Sequence, residues 1–230
     1  MNTPALFCQY GLDEHQYRLI ELHLLKVIEA NKTTNLTRIE TYESGMLLHV
    51  EDSLSGLQEI KSAPAGLYGD LGTGGGFPGI PLAIATGRQT MLVDSVKKKV
   101  AILSTIIEEL GLEGQITGYD ERIEDLSKEM KGSFAVLTAR ALSSLPSLME
   151  LASPLLMQGG QLICYKAHVS DEELQHVKSL HTQLGMKLIH DRNFMLSDEI
   201  TNRRIIVFEK SGYPSLCLPR KVGMAQKKPL

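Results

Sequence analysis

A doubly wound α/β fold with a mostly parallel sheet and an N-terminal helical extension is what this sequence predicts, and three observations predict it. From residue 66 on, short apolar or β-branched runs alternate with helical patterns: GLYGDL, TMLVD, QITGY, FAVLTA, QLICYK and RRIIVFEK. Such alternation argues for βαβ units and a parallel sheet. A glycine-rich turn, Asp70-Leu71-Gly72-Thr73-Gly74-Gly75-Gly76-Phe77-Pro78-Gly79, leaves the first of these strands and opens a helix, the place where doubly wound sheets take up ligands. Before residue 63 nothing reads as a strand.

The elements follow in order. Asp13 is placed to cap a helix, with Gln16 three residues on able to return the bond. Tyr17, Ile20, Leu24, Val27 and Ile28 then recur at helical spacing. After the polar stretch NKTTNLTRIETYES, the positions Met46, Val50, Leu54 and Leu57 mark a second helix that ends before the turn-rich KSAPAG at 61–66. Strand one carries the glycine turn, and Pro81 suits the first turn of the helix behind it. The segment 96–110 is the clearest helix of the body, with Val100, Leu103, Ile106, Ile107 and Leu110 on one face. A strand near 186–191 and a last one at 203–209 close the sheet. The pattern divides the chain into an N-terminal helical extension at 1–62, a sheet domain at 63–210 and a basic tail at 211–230 that reads as irregular.

Composition narrows the function. In 230 residues, 43% are hydrophobic and 22% charged, which excludes a disordered chain. Cys8, Cys164 and Cys217 are odd in number and scattered, which excludes a disulfide scaffold and makes a reducing cytoplasm the expected compartment. No apolar run approaches the ~18 residues of a membrane span, and the first residues lack the pattern of a signal peptide. Cys164-x-x-x-His168 has no second ligand pair, so no metal is expected. The net charge of −3 conceals an asymmetry. Between residues 200 and 230 lie Arg203, Arg204, Lys210, Arg220, Lys221, Lys227 and Lys228 against Glu209 alone. A basic arm on an acidic body suits contact with nucleic-acid phosphates, and the tail is expected to act on RNA and not on a cofactor.

Two ligand classes fit the glycine turn. Gly74-x-Gly76-x-x-Gly79 satisfies the dinucleotide pattern. Asp70 followed by Gly72, Gly74 and Gly76 satisfies the pattern of S-adenosylmethionine enzymes, in which the acid can hold the ligand's ammonium. The second is preferred. An anion at Asp70 would repel a pyrophosphate, the dinucleotide register starts late after the strand, and no Tyr-x-x-x-Lys pair supplies hydride chemistry. Asp94 ends the second strand 22 residues after Gly72, where an acid accepts ribose hydroxyls in either class; it is equally placed to cap the helix that follows.

Taken together, these blocks resemble the bacterial 16S rRNA guanine-N7 methyltransferases of the RsmG (glucose-inhibited division protein B) family. The resemblance spans nearly the whole chain: Asn35-Leu36-Thr37, His49, Asp52-Ser53, DLGTGGGFPGIPLAIA from Asp70, LVDSVKKKVAIL, Arg122-Ile123-Glu124, Ala139-Arg140-Ala141, Lys166, Arg203-Arg204 and the tail LPRKVGMAQKKPL. It implies a Rossmann-like class I methyltransferase fold and S-adenosyl-L-methionine as cofactor. Its substrate would be N7 of a guanine near the decoding region of 16S rRNA, in the small ribosomal subunit or its precursor. Gly72, Gly74 and Phe77 would line the cofactor loop, Asp94 would take the ribose, and Ile123 with Glu124 would flank the adenine. Arg140, at the active-site end of the fourth strand, would serve both cofactor and catalysis. Arg203, Arg204, Arg220 and Lys221 would contact RNA. Ala167 and Leu218 depart from the family's usual residues. The alternative is a methyltransferase acting on a small molecule or another RNA.

Overall fold

The computed structural model describes residues 3–230, with side chains from residue 7 on. Helices α1 (Thr3–Tyr10) and α2 (Glu14–Asn31) open the chain. The predicted capping box is present: Asp13 accepts from the Gln16 amide at 2.8 Å, and the Gln16 side chain accepts from the Asp13 amide at 3.1 Å. Next come α3 (Tyr42–Gly45), a π-helical segment (Met46–Glu51), α4 (Asp52–Leu54) and α5 (Leu57–Ser62). The expected single helix is therefore interrupted at Ser55–Gly56. Tyr165 explains the break: its hydroxyl donates to the Ser53 carbonyl at 2.8 Å, and a Cβ on Gly56 would lie 2.0 Å from that oxygen.

The sheet strands are β1 (Leu67–Leu71), β2 (Thr90–Val93), β3 (Ile116–Tyr119), β4 (Phe134–Arg140), β5 (Leu156–Lys166), β6 (Met186–Met195) and β7 (Asn202–Lys210), in the order β3-β2-β1-β4-β5-β7-β6. Strands β1 to β5 pair in parallel, and β7 runs antiparallel between β5 and β6. Between them lie α6 (Gly79–Thr86), α7 (Lys97–Glu109), α8 (Ile123–Glu129), α9 (Leu145–Ala152), α10 (Asp171–Ser179) and α11 (His181–Leu184), with α12 (Met224–Lys227) in the tail.

Alternation along the strands builds two cores. Val136, Ile163, Tyr165, Ile205 and Val207 face α2, α6 and α7, whereas Leu137, Leu162, Cys164, Ile206 and Phe208 face α8 to α11. A residue's two strand neighbours always point to the opposite face, so near-continuous apolar runs are what a sheet covered on both sides requires. The result is a helix–sheet–helix sandwich in which the carboxyl ends of β1, β2 and β4 are left to loops. Cys164 is fully buried, and burial pushes its thiol up to about 12.

At the opposite edge Lys210 ends β7 with 5% exposure. Its ammonium donates to Ser153 Oγ (2.5 Å) and the Leu184 carbonyl (3.4 Å), and no carboxylate pairs with it among the described residues. Burial, with a smaller contribution from Lys131, lowers its pKa to about 8. Because the folded value lies below that of the unfolded chain, the charge costs stability fully below pH 8, and the cost fades as pH rises toward 10.5. Lys210→Met is expected to raise the melting temperature at pH 7 by a few degrees, with the gain over wild type shrinking between pH 8 and 10. A gain that is constant with pH would show that the amine is not the source.

Candidate active site

The glycine turn is built around a buried acid. Asp70 is fully buried; its Oδ1 accepts from Thr138 Oγ1 (2.7 Å), and its Oδ2 from Thr73 Oγ1 (2.6 Å) and the Gly79 amide (3.0 Å). Burial raises its pKa while these donors and Arg140 oppose the rise. The expectation that Asp70 holds a ligand's ammonium is therefore corrected. The carboxylate is used up tying the start of the turn to the start of α6, and it does not reach the ligand cleft.

That cleft, about 230 Å³, lies beyond the ends of β1 and β2 and is lined by Gly72, Gly74, Asp94, Ile123, Glu124, Ala141 and Leu142, among others. Gly72 and Gly74 both have left-handed backbones, at φ +71° and +58°, which a side chain adopts at a cost. A Cβ at Gly72 would meet Leu142 at 2.7 Å, whereas one at Gly74 would find nothing nearer than 3.9 Å. Asp94 braces the turn: its Oδ2 accepts from the Gly74 amide (3.1 Å) and its Oδ1 from the Val96 amide (2.9 Å). Of the two roles read from sequence, the helix cap is not made, because the N-cap position falls on Val96 and has no side-chain bond; a carboxylate has further lone pairs for a ligand's hydroxyls. Glu124 accepts from the Gly223 amide at 2.6 Å. Phe77 does not line this cleft. It is 4% exposed, stacked on His49 (centroids 4.5 Å apart, planes within 6°) and packed at a tilt of 34° against His23 (4.3 Å), so it anchors the turn from beneath.

Arg140 also lies outside that lining. It lines a second cleft of about 400 Å³, together with His49, Asp52, Tyr165, Lys166 and Arg203. The two clefts meet at Ala141, a non-glycine residue held at φ +54°; backbone of this kind persists only where its surroundings impose it. Arg140 Nη1 donates to the Leu48 carbonyl and to Asp52 Oδ2, each at 3.0 Å, and Nη2 donates to His49 Nδ1 at 3.0 Å. His49 Nδ1 must then be the bare acceptor, and its Nε2–H donates to Thr37 Oγ1 at 2.7 Å. Burial, and secondarily Arg140, lowers the His49 pKa to about 3, so the ring is neutral. Asp52 Oδ1 accepts from Arg203 at 3.0 Å. Nε–H and one Nη2–H of Arg140 have no acceptor among the described residues. Sequence reasoning left His49 undecided and missed Asp52 as a holder of Arg140 and Thr37 as the holder of His49; the available signal was that these blocks lie outside the run of strands yet belong to the resemblance.

Of the residues read as RNA contacts, two are engaged elsewhere. Arg204 forms a fork with Asp191 (2.7 and 2.8 Å) and Arg220 a fork with Glu150 (2.6 and 2.5 Å). Lys221, Lys227 and Lys228 are exposed. No group of side chains able to hold a metal occurs among the described residues, nor does a helix long and apolar enough to cross a membrane.

Comparison with known proteins agrees with this geometry. The family described as rRNA small subunit methyltransferase G matches residues 16–199. A ribosomal RNA small subunit methyltransferase G of Desulfitobacterium hafniense is 35% identical over 222 residues, covering 95% of this chain and 91% of that one. One from Bacillus pumilus is 34% identical, covering 94% and 91%. Among solved structures, a geranyl diphosphate methyltransferase in complex with SAM is similar at a TM-score of 0.54 and 11% identity over 69% of this chain and 84% of that one. A putative RNA methyltransferase from Pyrococcus horikoshii is similar at 0.51 and 12%, over 70% and 83%. At such identities these two speak for the fold, which is that of class I methyltransferases.

Proposed function

The chain belongs to the rRNA small subunit methyltransferase G family, the 16S rRNA guanine-N7 methyltransferases, and on that premise we propose how its two clefts divide the reaction. The observation that carries the reading is their junction at Ala141, with a nucleoside-type cleft on one side and a cationic one on the other. The first takes S-adenosylmethionine, held by the bare backbone at Gly72 and Gly74, by Asp94 at the ribose and by Ile123 and Glu124 at the adenine. The second takes the target guanine, with Arg140 as the catalytic residue.

When bound, the cofactor supplies a methyl group activated by a sulfonium. Guanine N7 carries a lone pair and no proton. Methyl transfer to that pair would therefore need no base from the chain, and the placement given by Arg140 and the two clefts would supply the rate. Arg140 suits that placement: its two uncommitted N–H groups match the guanine O6 or a neighbouring phosphate, and the Asp52–His49 clamp fixes the guanidinium plane. Arg203 shares Asp52 and lines the same cleft. Phosphates beyond the site fall to the exposed Lys221, with Lys227 and Lys228. The partner is 16S rRNA in the small subunit or its precursor, in the cytoplasm.

Mass mapping of 16S rRNA from cells with and without this chain tests the reading. One guanine should lose a methyl in its absence and regain it on incubation with purified chain and S-adenosylmethionine. An identical map in both cells would refute it. At the cofactor end, Asp94→Asn keeps shape but weakens the charge-assisted bonds, so S-adenosylmethionine binding should drop about 10- to 100-fold, or ~1.5–3 kcal/mol. Calorimetry giving an unchanged constant would leave Asp94 as a brace for the turn alone.

A further inference from the structure

We infer that the C-terminal segment is a wall of the cofactor cleft and that Gln226 is a cofactor-binding residue. The inference rests on the cleft at Gly72 and Asp94 being the S-adenosylmethionine site. Sequence alone made this segment an RNA arm. Its course in the fold is different: it rises along α9 to the carboxyl edge of the sheet and is pinned there at successive points.

Arg220 makes its fork to the buried Glu150 and donates also to the Lys228 carbonyl (2.8 Å), which closes residues 220–228 into a compact loop. Ala225 is 2% exposed, and its carbonyl accepts from Ser147 Oγ at 2.6 Å. Gly223, at φ +78°, turns its amide onto Glu124 Oε1. Glu124 is itself part of the cleft lining, and Gln226 lines the same cleft. Here an exposed side chain on a fixed backbone meets a carboxylate already oriented by the same segment.

The chemistry favours the adenine end. A carboxamide offers one donor and one acceptor side by side, the pattern that Gln presents to adenine N6 and N7 in nucleic acids. A carboxylate beside it, with one oxygen held by Gly223, is left with an oxygen that accepts from an exocyclic amine. Lys221, Lys227 and Lys228, in contrast, are exposed. The segment thus serves the cofactor through Gln226 and Gly223, and RNA through Lys221, Lys227 and Lys228.

The test is calorimetric titration of the full chain with S-adenosylmethionine and with S-adenosylhomocysteine. Gln226 is exposed, so Gln226→Ala should leave far-UV circular dichroism and melting temperature unchanged while weakening both ligands about five- to tenfold. A chain ending at Arg220 should weaken them further. Replacing Lys221, Lys227 and Lys228 together by Ala should leave cofactor affinity at the wild-type value and make the salt dependence of 16S rRNA binding shallower. Wild-type cofactor affinity in both Gln226→Ala and the shortened chain overturns the inference and leaves the cofactor reading standing. A wild-type chain that binds neither ligand overturns the cofactor reading and this inference with it.

Discussion

Arg140→Lys is expected to transfer labelled methyl to unmodified small-subunit RNA about 10- to 100-fold more slowly than wild type in a single turnover, with S-adenosylmethionine saturating and its affinity unchanged. The magnitude is that of one charge-assisted bond, ~1.5–3 kcal/mol. An ammonium is a point charge on a flexible stem and cannot reproduce the planar fork. In wild type the guanidinium spans three acceptors that lie in different directions: the Leu48 carbonyl, Asp52 and His49. Lysine can satisfy Asp52 and keep the buried carboxylate paired, so the fold survives. What it loses is the fixed direction of the remaining N–H groups. Cofactor affinity should hold because Arg140 does not line that cleft. Transfer at the wild-type rate would make Arg140 a structural partner of Asp52 only.

Gly72→Val should have the opposite profile, with cofactor binding lost from calorimetry in a chain that still folds. Its backbone sits at φ +71°, where a β-branched residue is strained by ~1–3 kcal/mol. Its Cβ would stand 2.7 Å from Leu142 Cδ1; Leu142 can yield only by moving into the cleft that it lines. A melting temperature lower by about 2–12 °C is the accompanying cost. Gly74→Ala shares the backbone strain but meets no atom within 3.9 Å, so it should bind more weakly than wild type and more tightly than Gly72→Val. Wild-type affinity in Gly72→Val would place the ligand elsewhere.

Periodicity and glycine chemistry made most of the frame readable. All the strand segments named from sequence are strands; in β1, β4 and β7 cover on both faces writes burial into consecutive residues, whereas the edge strands β3 and β6 are largely exposed. Strand β5 begins earlier, at Leu156, where it pairs with Phe134 of β4, and β6 runs on to Met195, where it pairs with Asn202 of β7. Asp94 was legible because its place at a strand end is local. Asp70 and Phe77 were misjudged for the same reason: one lies in β1 and the other in the glycine turn, but whether either side chain points to the ligand or to the core depends on partners such as Thr138, His23 and His49, which are distant in sequence. The helix break at Gly56 depends on Tyr165, and the tail's course depends on Glu124, Ser147 and Glu150. None of these contacts leaves a periodic trace.

The acids of the N-terminal extension carry a consequence for how the chain is made. Asp52, Glu51 and Glu59 are all buried, and their partners are Arg140 and Arg203, Ser197, and Arg192 respectively. Every partner is synthesised later, and the last of them only after β6 is complete. A nascent or prematurely released chain cannot dock residues 51–59 on the sheet without burying unpaired carboxylates, a penalty of several kcal/mol. The arginine clamp and the last strands therefore arrive together.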